Sequence, residues 1–458
     1  MSATTTRESI PEIPPGQRAR AGGSLRWTLV FMAFLGTTIN YIDRANLSIA
    51  IPFIDHDLHI GPALAGIVLG GFFWTYAIFQ LPLGYLVDRV GARVMYAFAV
   101  VWWSVFTAAT GLARGFFSLL GLRLLLGVGE AGAYPSNAKV VSEWFPIRER
   151  AFATSIYDSG ARVGSAAAIP LVAFIIANLG WQASFAITGV LGIFWAIAWI
   201  LIYRRPRQHP WARRSEVEYI EEGQRLGGSR AVGAAADDAA GVSWGHLFTY
   251  RTIWGMMLGF FCLNFVIYFF ITWFPTYLIE ARHFTLLKLG IFGIIPTLVA
   301  IPGGWIGGLV GDRLVRSGMD LTKARKICLV GGMLFSSVIA VAVVVPTVGL
   351  ALGLLSICYA SLTFAAASVW SLPADVAPTP RHVASIGGIQ NFASNIAGIV
   401  SPTYTGLVLA ATHRSFVVPL VTAGCLAIVG ALAYLFVVGR VEPLPVPDTA
   451  AARTPASP

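Results

Sequence analysis

A chain of 458 residues with 56% hydrophobic and only 12% charged side chains falls outside the soluble globular range, where about 25% of residues are charged. Its net charge of +10 does not mark a nucleic-acid binder, because the basic residues fall between long apolar runs and no basic patch with interleaved aromatics stands on a soluble module. A mean hydropathy of +0.71 makes lipid the main solvent, and spans of about 20 residues each fill the chain without room for a separate soluble domain.

Residues 1–26 are polar and Pro-rich and read as a tail. No short apolar stretch with a small-residue cleavage site is found, so the first apolar run reads as a retained span. Apolar runs recur near 28–54, 63–87, 94–113, 117–140, 151–177 and 182–203. A polar segment, 204–250, carries Arg204, Arg205, Arg207, Arg213 and Arg214 and reads as a linker with one short amphipathic helix around Glu216–Glu222. Six further runs, near 252–279, 286–315, 326–346, 349–375, 383–411 and 414–439, precede a Pro/Ala-rich tail, 441–458. The expectation is an all-α membrane protein with 12 transmembrane helices in two six-helix bundles, 27–203 and 251–440. Cys262, Cys328, Cys358 and Cys425 stand in separate apolar segments without metal-ligand spacing and are expected to be free, buried thiols.

Charge gives the topology. Arg18, Arg20 and Arg26 in the tail, Arg89 and Arg93 after the second run, Arg148 and Arg150 after the fourth, the linker, and Arg313 to Lys326 after the eighth are basic. The stretches Asp55–His59 and Asn178–Trp181 hold neither Lys nor Arg. Cytoplasmic loops are enriched in Lys and Arg, so both termini are expected in the cytoplasm.

The two halves repeat. Gly84-Tyr85-Leu86-Val87-Asp88-Arg89-Val90-Gly91-Ala92-Arg93 follows the second span, and Gly308-Leu309-Val310-Gly311-Asp312-Arg313 follows the eighth. Pro146 and Pro170 in the first half match Pro378 and Pro402 in the second at the same separation. Parallel repeats of this kind describe a large class of secondary transporters, and the arrangement, with an Asp-Arg loop in each half, resembles the major facilitator superfamily. The Asp88, Arg89, Arg93, Asp312 and Arg313 loops are expected to act in gating between access states, by pairing at helix ends, the plainer reading being a topology signal alone.

Charge inside the membrane is the strongest functional signal. The first span holds Tyr41, Asp43 and Arg44, and the fourth holds Arg123, Glu130 and Asn137 at intervals of seven. Each ionised residue at mid-membrane costs about 2.5–3.5 kcal/mol on insertion scales, so these must face a polar interior. They could form packing salt bridges, Asp43 with Arg44 and Arg123 with Glu130. The functional reading is proton coupling at Asp43 and Glu130, since each acid can switch between neutral and charged forms. The second half offers hydroxyls, amides and aromatics instead: Tyr268, Trp273, Tyr277, Trp370, Gln390, Asn391, Asn395 and Tyr404. Two amides on one helical face, Asn391 and Asn395, need polar partners.

Several motifs carry nothing. Gly127-Val128-Gly129-Glu130-Ala131-Gly132 matches a dinucleotide fingerprint but lacks the strand that motif requires; like Gly303, Gly307 and Gly311, it reads as close helix packing. Asn46-Leu47-Ser48 lies within the membrane, His56 and His59 read as an exposed loop, and no phosphate-binding loop is found that would couple ATP. No catalytic constellation is found, so no enzyme and no cofactor beyond protons as the coupling ion are expected.

A narrower resemblance rests on Asn40-Tyr41-Ile42-Asp43-Arg44-Ala45-Asn46-Leu47-Ser48, on Gly121-Leu122-Arg123 through Glu130, and on Trp144-Phe145-Pro146 with Glu149-Arg150. Thr272-Trp273-Phe274-Pro275-Thr276-Tyr277-Leu278 and Gln390-Asn391-Phe392 add to it. This pattern resembles the anion:cation symporter branch, which includes bacterial galactonate, glucarate and hexuronate permeases and is similar to sialic acid and vesicular glutamate carriers. The resemblance implies proton coupling at Asp43 and Glu130, and a substrate site lined by Tyr41, Arg44, Tyr76, Arg123 and Asn391. Gln80, Asn137, Trp370, Gln390 and Asn395 complete the expected binding set. The chain departs from galactonate-type members at Ala161, where they carry Gln, and at Ala367 and Val369, where hydroxyls are replaced; a less hydroxylated or aromatic carboxylate also fits. Asp158 and Arg162, four apart, read either as an intrahelical pair or as an extra substrate anchor.

The expected protein is thus a proton-coupled importer of a small carboxylate, working as a monomer in the lipid bilayer of a bacterial inner membrane, with no nucleic-acid partner. The alternatives are a proton-coupled exporter of acidic or aromatic compounds and a non-transporting solute receptor.

Overall fold

The computed structural model describes residues 25–224, 244–379 and 382–445, which form twelve long helices and no strand. These are α1 (Leu25–Leu58), α2 (Gly61–Val90), α3 (Ala92–Thr110), α4 (Phe116–Trp144), α5 (Ile147–Leu179) and α6 (Trp181–Ile202) in the first half. The second half has α7 (Arg251–Thr272), α8 (Leu286–Arg316), α9 (Leu321–Ala342), α10 (Val348–Val376), α11 (His382–Ala411) and α12 (Val417–Val437). Ten are long and apolar enough to cross a membrane. The other two, α1 and α11, have the length at 34 and 30 residues but carry Asp43-Arg44 and Gln390-Asn391 mid-helix. Residues 1–24 and 446–458 of the expected tails and residues 225–243 of the linker lie outside the described residues, while Leu25 and Arg26, expected in the tail, open α1.

Local chemistry sets the helix ends. Gly91 (φ +96°) and Gly180 (φ +84°) turn the chain between α2 and α3 and between α5 and α6, in a region that favours glycine over residues with a Cβ. Pro62 opens α2, where the missing N–H is no loss. In the linker, residues 214–224 are helical, over the expected amphipathic stretch. This helix is stapled to the bundle: Arg26 binds Glu149 (3.1 Å) and Glu216 (3.3 Å), and Tyr219 donates to Glu149 (2.6 Å).

In the first bundle α1 packs on α5, α3 on α6 and α2 on α4; in the second, α8 and α9 pack on α10, and α7 on α11 and α12. Between bundles α2 meets α11, α5 meets α8 and α1 meets α7. Both ends of the described chain lie on one face, called here the terminal face. The bundles meet at the opposite face. There a Cβ on Gly66 of α2 would stand 2.5 Å from the Pro402 carbonyl of α11, and one on Gly406 2.4 Å from the Pro62 carbonyl. Arg414 adds an ion pair to Asp55 of the first bundle while holding Glu280 of its own (2.6 Å). Toward the terminal face the named ion pairs close within one bundle: Asp88 with Lys139 (3.0 Å), and Arg325 with Asp375 (2.7 Å). A cleft between the bundles is therefore open on the terminal face and shut on the other.

Two expectations need comment. Gly303 and Gly307 do let α8 approach α10, with a Cβ blocked at 2.5 Å and 2.3 Å, but Gly311 has ordinary room. Cys262, Cys328 and Cys358 are buried and Cys425 is exposed, which corrects the reading of four buried thiols. Apolarity does not separate core from lipid, because α12 is apolar on every side.

Substituting Gly66→Leu is expected to prise α2 from α11. A cysteine placed at Thr403 in a cysteine-free background then reacts with an impermeant maleimide at the closed face at least tenfold faster; an unchanged rate means that this contact does not hold the face shut.

His209 gives a pH prediction. Its Nε2 bonds the Ile202 carbonyl (2.8 Å) and its Nδ1 accepts from the Trp211 N–H (3.2 Å), so the neutral ring is satisfied and a second proton breaks one bond. Burial pushes its pKa below the usual value. The stabilisation of the linker by neutral His209 is thus complete above about pH 6.5 and is lost as pH falls through the lower folded value. Proteolysis near Arg213 is expected to accelerate between pH 7 and 5 in the wild type and to be pH-independent in His209→Gln.

Candidate functional site

Successive residues on a helix point about 100° apart, so Asp43 and Arg44 leave α1 toward different neighbours. Arg44 turns to α2 and α4. Its Nε and Nη2 both donate to Glu130 Oε2 (3.2 Å and 2.7 Å), with 8% and 0% of the two side chains exposed. Its guanidinium also lies 4.5 Å from the Phe72 ring, 4.7 Å from Tyr41 and 5.2 Å from Tyr76. Aromatic faces attract a desolvated cation, so Arg44 is caged on three sides. The pairing runs between α1 and α4, and not within Asp43–Arg44 or Arg123–Glu130 as a simple packing reading has it.

Asp43 is buried, 1% exposed, with Thr188, Trp103, Glu130 and Arg123 around it. Among the described residues neither carboxylate oxygen has a hydrogen-bond partner at bonding geometry, though Thr188 and Trp103 present donors toward it. Three residues on, Asn46 shares its face and bonds Thr188 (3.2 Å) and Ser184 (2.8 Å) of α6. Arg123 is equally buried, lies 5.5 Å from Phe72, and leaves its Nε unpaired. Glu130 Oε1 and Asn40 Nδ2 are also without partners. Four charged side chains thus share one buried locus with a single ion pair among them, leaving polar atoms that such a site rarely wastes. The close approach of α2 to α4 that builds it depends on Gly127, where a Cβ would meet the Phe72 carbonyl at 2.4 Å.

Other expected site residues fall at different depths. Tyr76 is buried beside Arg44, and Gln80, one turn on, is half-buried. Asn137 is wholly buried and donates to Thr37 Oγ1 (3.0 Å), so its contact is with α1 inside the bundle. In the second bundle Gln390 is buried, its Nε2 on the Val369 carbonyl (3.3 Å) and its Oε1 unpaired. Asn391 is half-buried and Asn395 buried. Trp370, at the break in α10, is 59% exposed and edge-on to Phe260 (5.4 Å). Tyr268 of α7 meets Phe73 of α2 across the cleft (4.6 Å). Of the gating set, Asp88 holds Lys139, Arg93 donates to the Ile200 carbonyl (3.1 Å and 2.7 Å), and Arg89 lies over Tyr85 (4.6 Å), all in the first bundle. Asp312 and Arg313 are exposed.

The sequence reading passed over Tyr134, Ser184 and Thr188. Tyr134 bridges the Tyr41 hydroxyl (3.5 Å) and Asp158 (3.4 Å). It stands four residues after Glu130, on the stripe already marked by charge. Ser184 and Thr188, four apart in apolar α6, were the signal for the second cluster.

The sequence profile of the Major Facilitator Superfamily matches residues 33–402. The chain is 36% identical over 437 residues to a probable L-galactonate transporter of Escherichia coli, covering 94% of this chain and 93% of that one. It is 36% identical over 435 residues to a probable galactarate/D-glucarate transporter of Bacillus subtilis (92% and 93%), and 33% identical over 402 to a probable sulfoacetate transporter of Cupriavidus necator (87% and 90%). Among solved structures, a bacterial homologue of the human lysosomal transporter Spinster, inward-facing, superposes with a TM-score of 0.74 at 19% identity, over 90% of this chain and 97% of that one. The xylose transporter of Escherichia coli, inward open, gives 0.70 at 15% identity, over 93% and 99%. These two likenesses show the fold.

Removing one partner of a buried pair costs about 3–5 kcal/mol. Arg44→Ala strands the Glu130 carboxylate and is expected to lower the thermal midpoint in detergent markedly, with Arg44→Ala/Glu130→Gln recovering most of the loss. Equal midpoints for the single and double variants would mean that the pair is not the source of the cost.

Proposed function

This chain belongs to the major facilitator superfamily and is a multi-pass membrane transporter, not an enzyme; from that premise we propose that it imports a small sugar-acid anion by proton symport through alternating access. The observation that carries the reading is the Arg44–Glu130 contact at 2.7 Å, buried beside an unpartnered Asp43 and a second arginine, Arg123. An anion site needs fixed cations, and coupling needs an acid whose proton decides whether a cation is free. Glu130 and Arg44 stand in that relation. The relatives named for galactonate and for galactarate/D-glucarate support sugar acids as the substrate class.

The basic loops support a cytoplasmic terminal face in a bacterial inner membrane, and on that reading the cleft described here is the cytoplasm-open state. In the outward-open state, protons enter on Asp43 and Glu130. Neutral Glu130 no longer holds Arg44, whose guanidinium turns to the substrate carboxylate with Arg123 beside it. Tyr41, Tyr76 and Gln80 on one side, and Asn391 with Gln390 on the other, meet the hydroxyls. The bundles then rock about the midplane. The less acidic cytoplasm takes up both protons, the Arg44–Glu130 pair re-forms, and it expels the anion. Each tenfold proton gradient supplies about 1.4 kcal/mol per proton to this cycle. One chain holds the whole path, so a monomer suffices.

Reconstituted vesicles, acidic outside, are expected to accumulate labelled galactonate or galactarate, and a protonophore to abolish accumulation. Glu130→Gln is expected to lose concentrative uptake at least tenfold while still exchanging labelled for unlabelled substrate. Accumulation that persists in Glu130→Gln removes the acid from the coupling role.

A further inference from the structure

We propose that Arg162 is a second anion anchor in the cleft and that it selects a substrate with an acidic group at each end, a sugar diacid or a carboxylate–sulfonate, over a monoacid of the same length. The inference rests on the sugar-acid reading of the cleft and narrows it.

Helical periodicity gives α5 two opposed stripes. Gly160 and Gly164 face α1, where a Cβ would stand 2.5 Å from the Phe34 carbonyl and 2.4 Å from the Thr38 carbonyl. Asp158, Arg162 and Ile169 lie on the other stripe. Near the closed face this stripe touches the second bundle: Ile169 lies 3.2 Å from the Cβ position of Gly293 of α8, and Pro170 3.5 Å from that of Gly290. Two turns toward the open face, at Arg162, the bundles have parted. The Arg162 side chain is 52% exposed and Asp158 41%, and Tyr359 of α10, across the cleft, is within electrostatic reach of both Arg162 and Tyr41. Arg162 therefore stands mid-helix in a 33-residue span and looks into the open cleft, a place that a charge occupies at the membrane midplane only where water or a ligand reaches it.

Its present partner is weak. Asp158 lies 3.4 Å from Nη2, and no hydrogen bond of Arg162 is formed among the described residues, so its five N–H donors are available. A polar run joins it to the first anchor. Arg44 sits 4.7 Å from the Tyr41 ring, Tyr41 meets the Tyr134 hydroxyl at 3.5 Å, and Tyr134 donates to Asp158 at 3.4 Å. A guanidinium thus stands at each end, with two phenols between. A hydroxylated chain with two terminal acids matches that order: one acid at Arg44, its hydroxyls on Tyr41 and Tyr134, and the second acid displacing Asp158 from Arg162 in a bidentate pair. A monoacid leaves Asp158 where it is.

The test is the ratio of KM values for galactonate and galactarate, both labelled, in vesicles of one preparation, a ratio that does not depend on the active fraction. The wild type is expected to favour galactarate at least tenfold. Arg162→Gln is expected to bring the ratio near one, mainly by raising KM for galactarate. Asp158→Asn, which frees Arg162, is expected to move it the other way. A wild-type preference for galactonate, an unchanged ratio in Arg162→Gln, or both variants shifting the ratio alike overturns the assignment and leaves Asp158–Arg162 as a helix-stabilising pair. Uptake of neither acid overturns the sugar-acid reading and this assignment with it.

Discussion

A guanidinium held against a carboxylate in the interior of an apolar bundle is the constraint from which the rest of the first half follows. Arg44 and Glu130 share one oxygen at 2.7 Å with almost no water access. Neither charge is tolerable alone at that depth. The pair therefore fixes α1 against α4, and the cage of Tyr41, Phe72 and Tyr76 around Arg44 draws in α2. It is also a contact that one proton can dissolve. In the proposed mechanism, stability and coupling are for that reason properties of the same bond.

The second bundle is built on a different economy. It offers amides, hydroxyls and rings, and its ion pairs lie at its ends: Arg325 with Asp375, and Arg414 with Glu280. The two halves share a helix plan, as the Asp88 and Asp312 loops advertise, yet among the described residues only the first has buried charge at its centre. In the proposed cycle, movement of one bundle against the other then carries a charged wall past a polar one. A site at the seam gains or loses its second wall without any charge being dragged through lipid.

Much of this was legible in the sequence. Twelve apolar runs, the basic loops and the buried Asp43, Arg44, Arg123 and Glu130 stand out because burying charge in hydrocarbon is too expensive to be accidental. Asp158–Arg162 was legible as a pair because four residues is one helical turn. The partner of Arg44 was not, since it comes from a helix 86 residues away. What the chain does disclose is negative: adjacent residues diverge by about 100°, so Asp43 and Arg44 do not pair. The contact of Gly66 with Pro402 was beyond reach for the same reason, being a fit between two surfaces. The outward position of Cys425 was hidden because lipid and protein core ask for the same side chains.

Arg414 has a consequence for how firmly the closed face is shut. It bridges Asp55 of one bundle and Glu280 of its own, and is 46% exposed. When the bundles separate, only Asp55 leaves. Arg414 keeps Glu280, and Asp55 keeps only the Gly61 N–H (2.6 Å). The clasp is thus a one-sided toggle whose release uncovers Asp55, a side chain only 10% exposed while Arg414 holds it. In the proposed cycle, opening this face therefore asks water to take over one carboxylate, Asp55, on one side of the seam and nothing on the other.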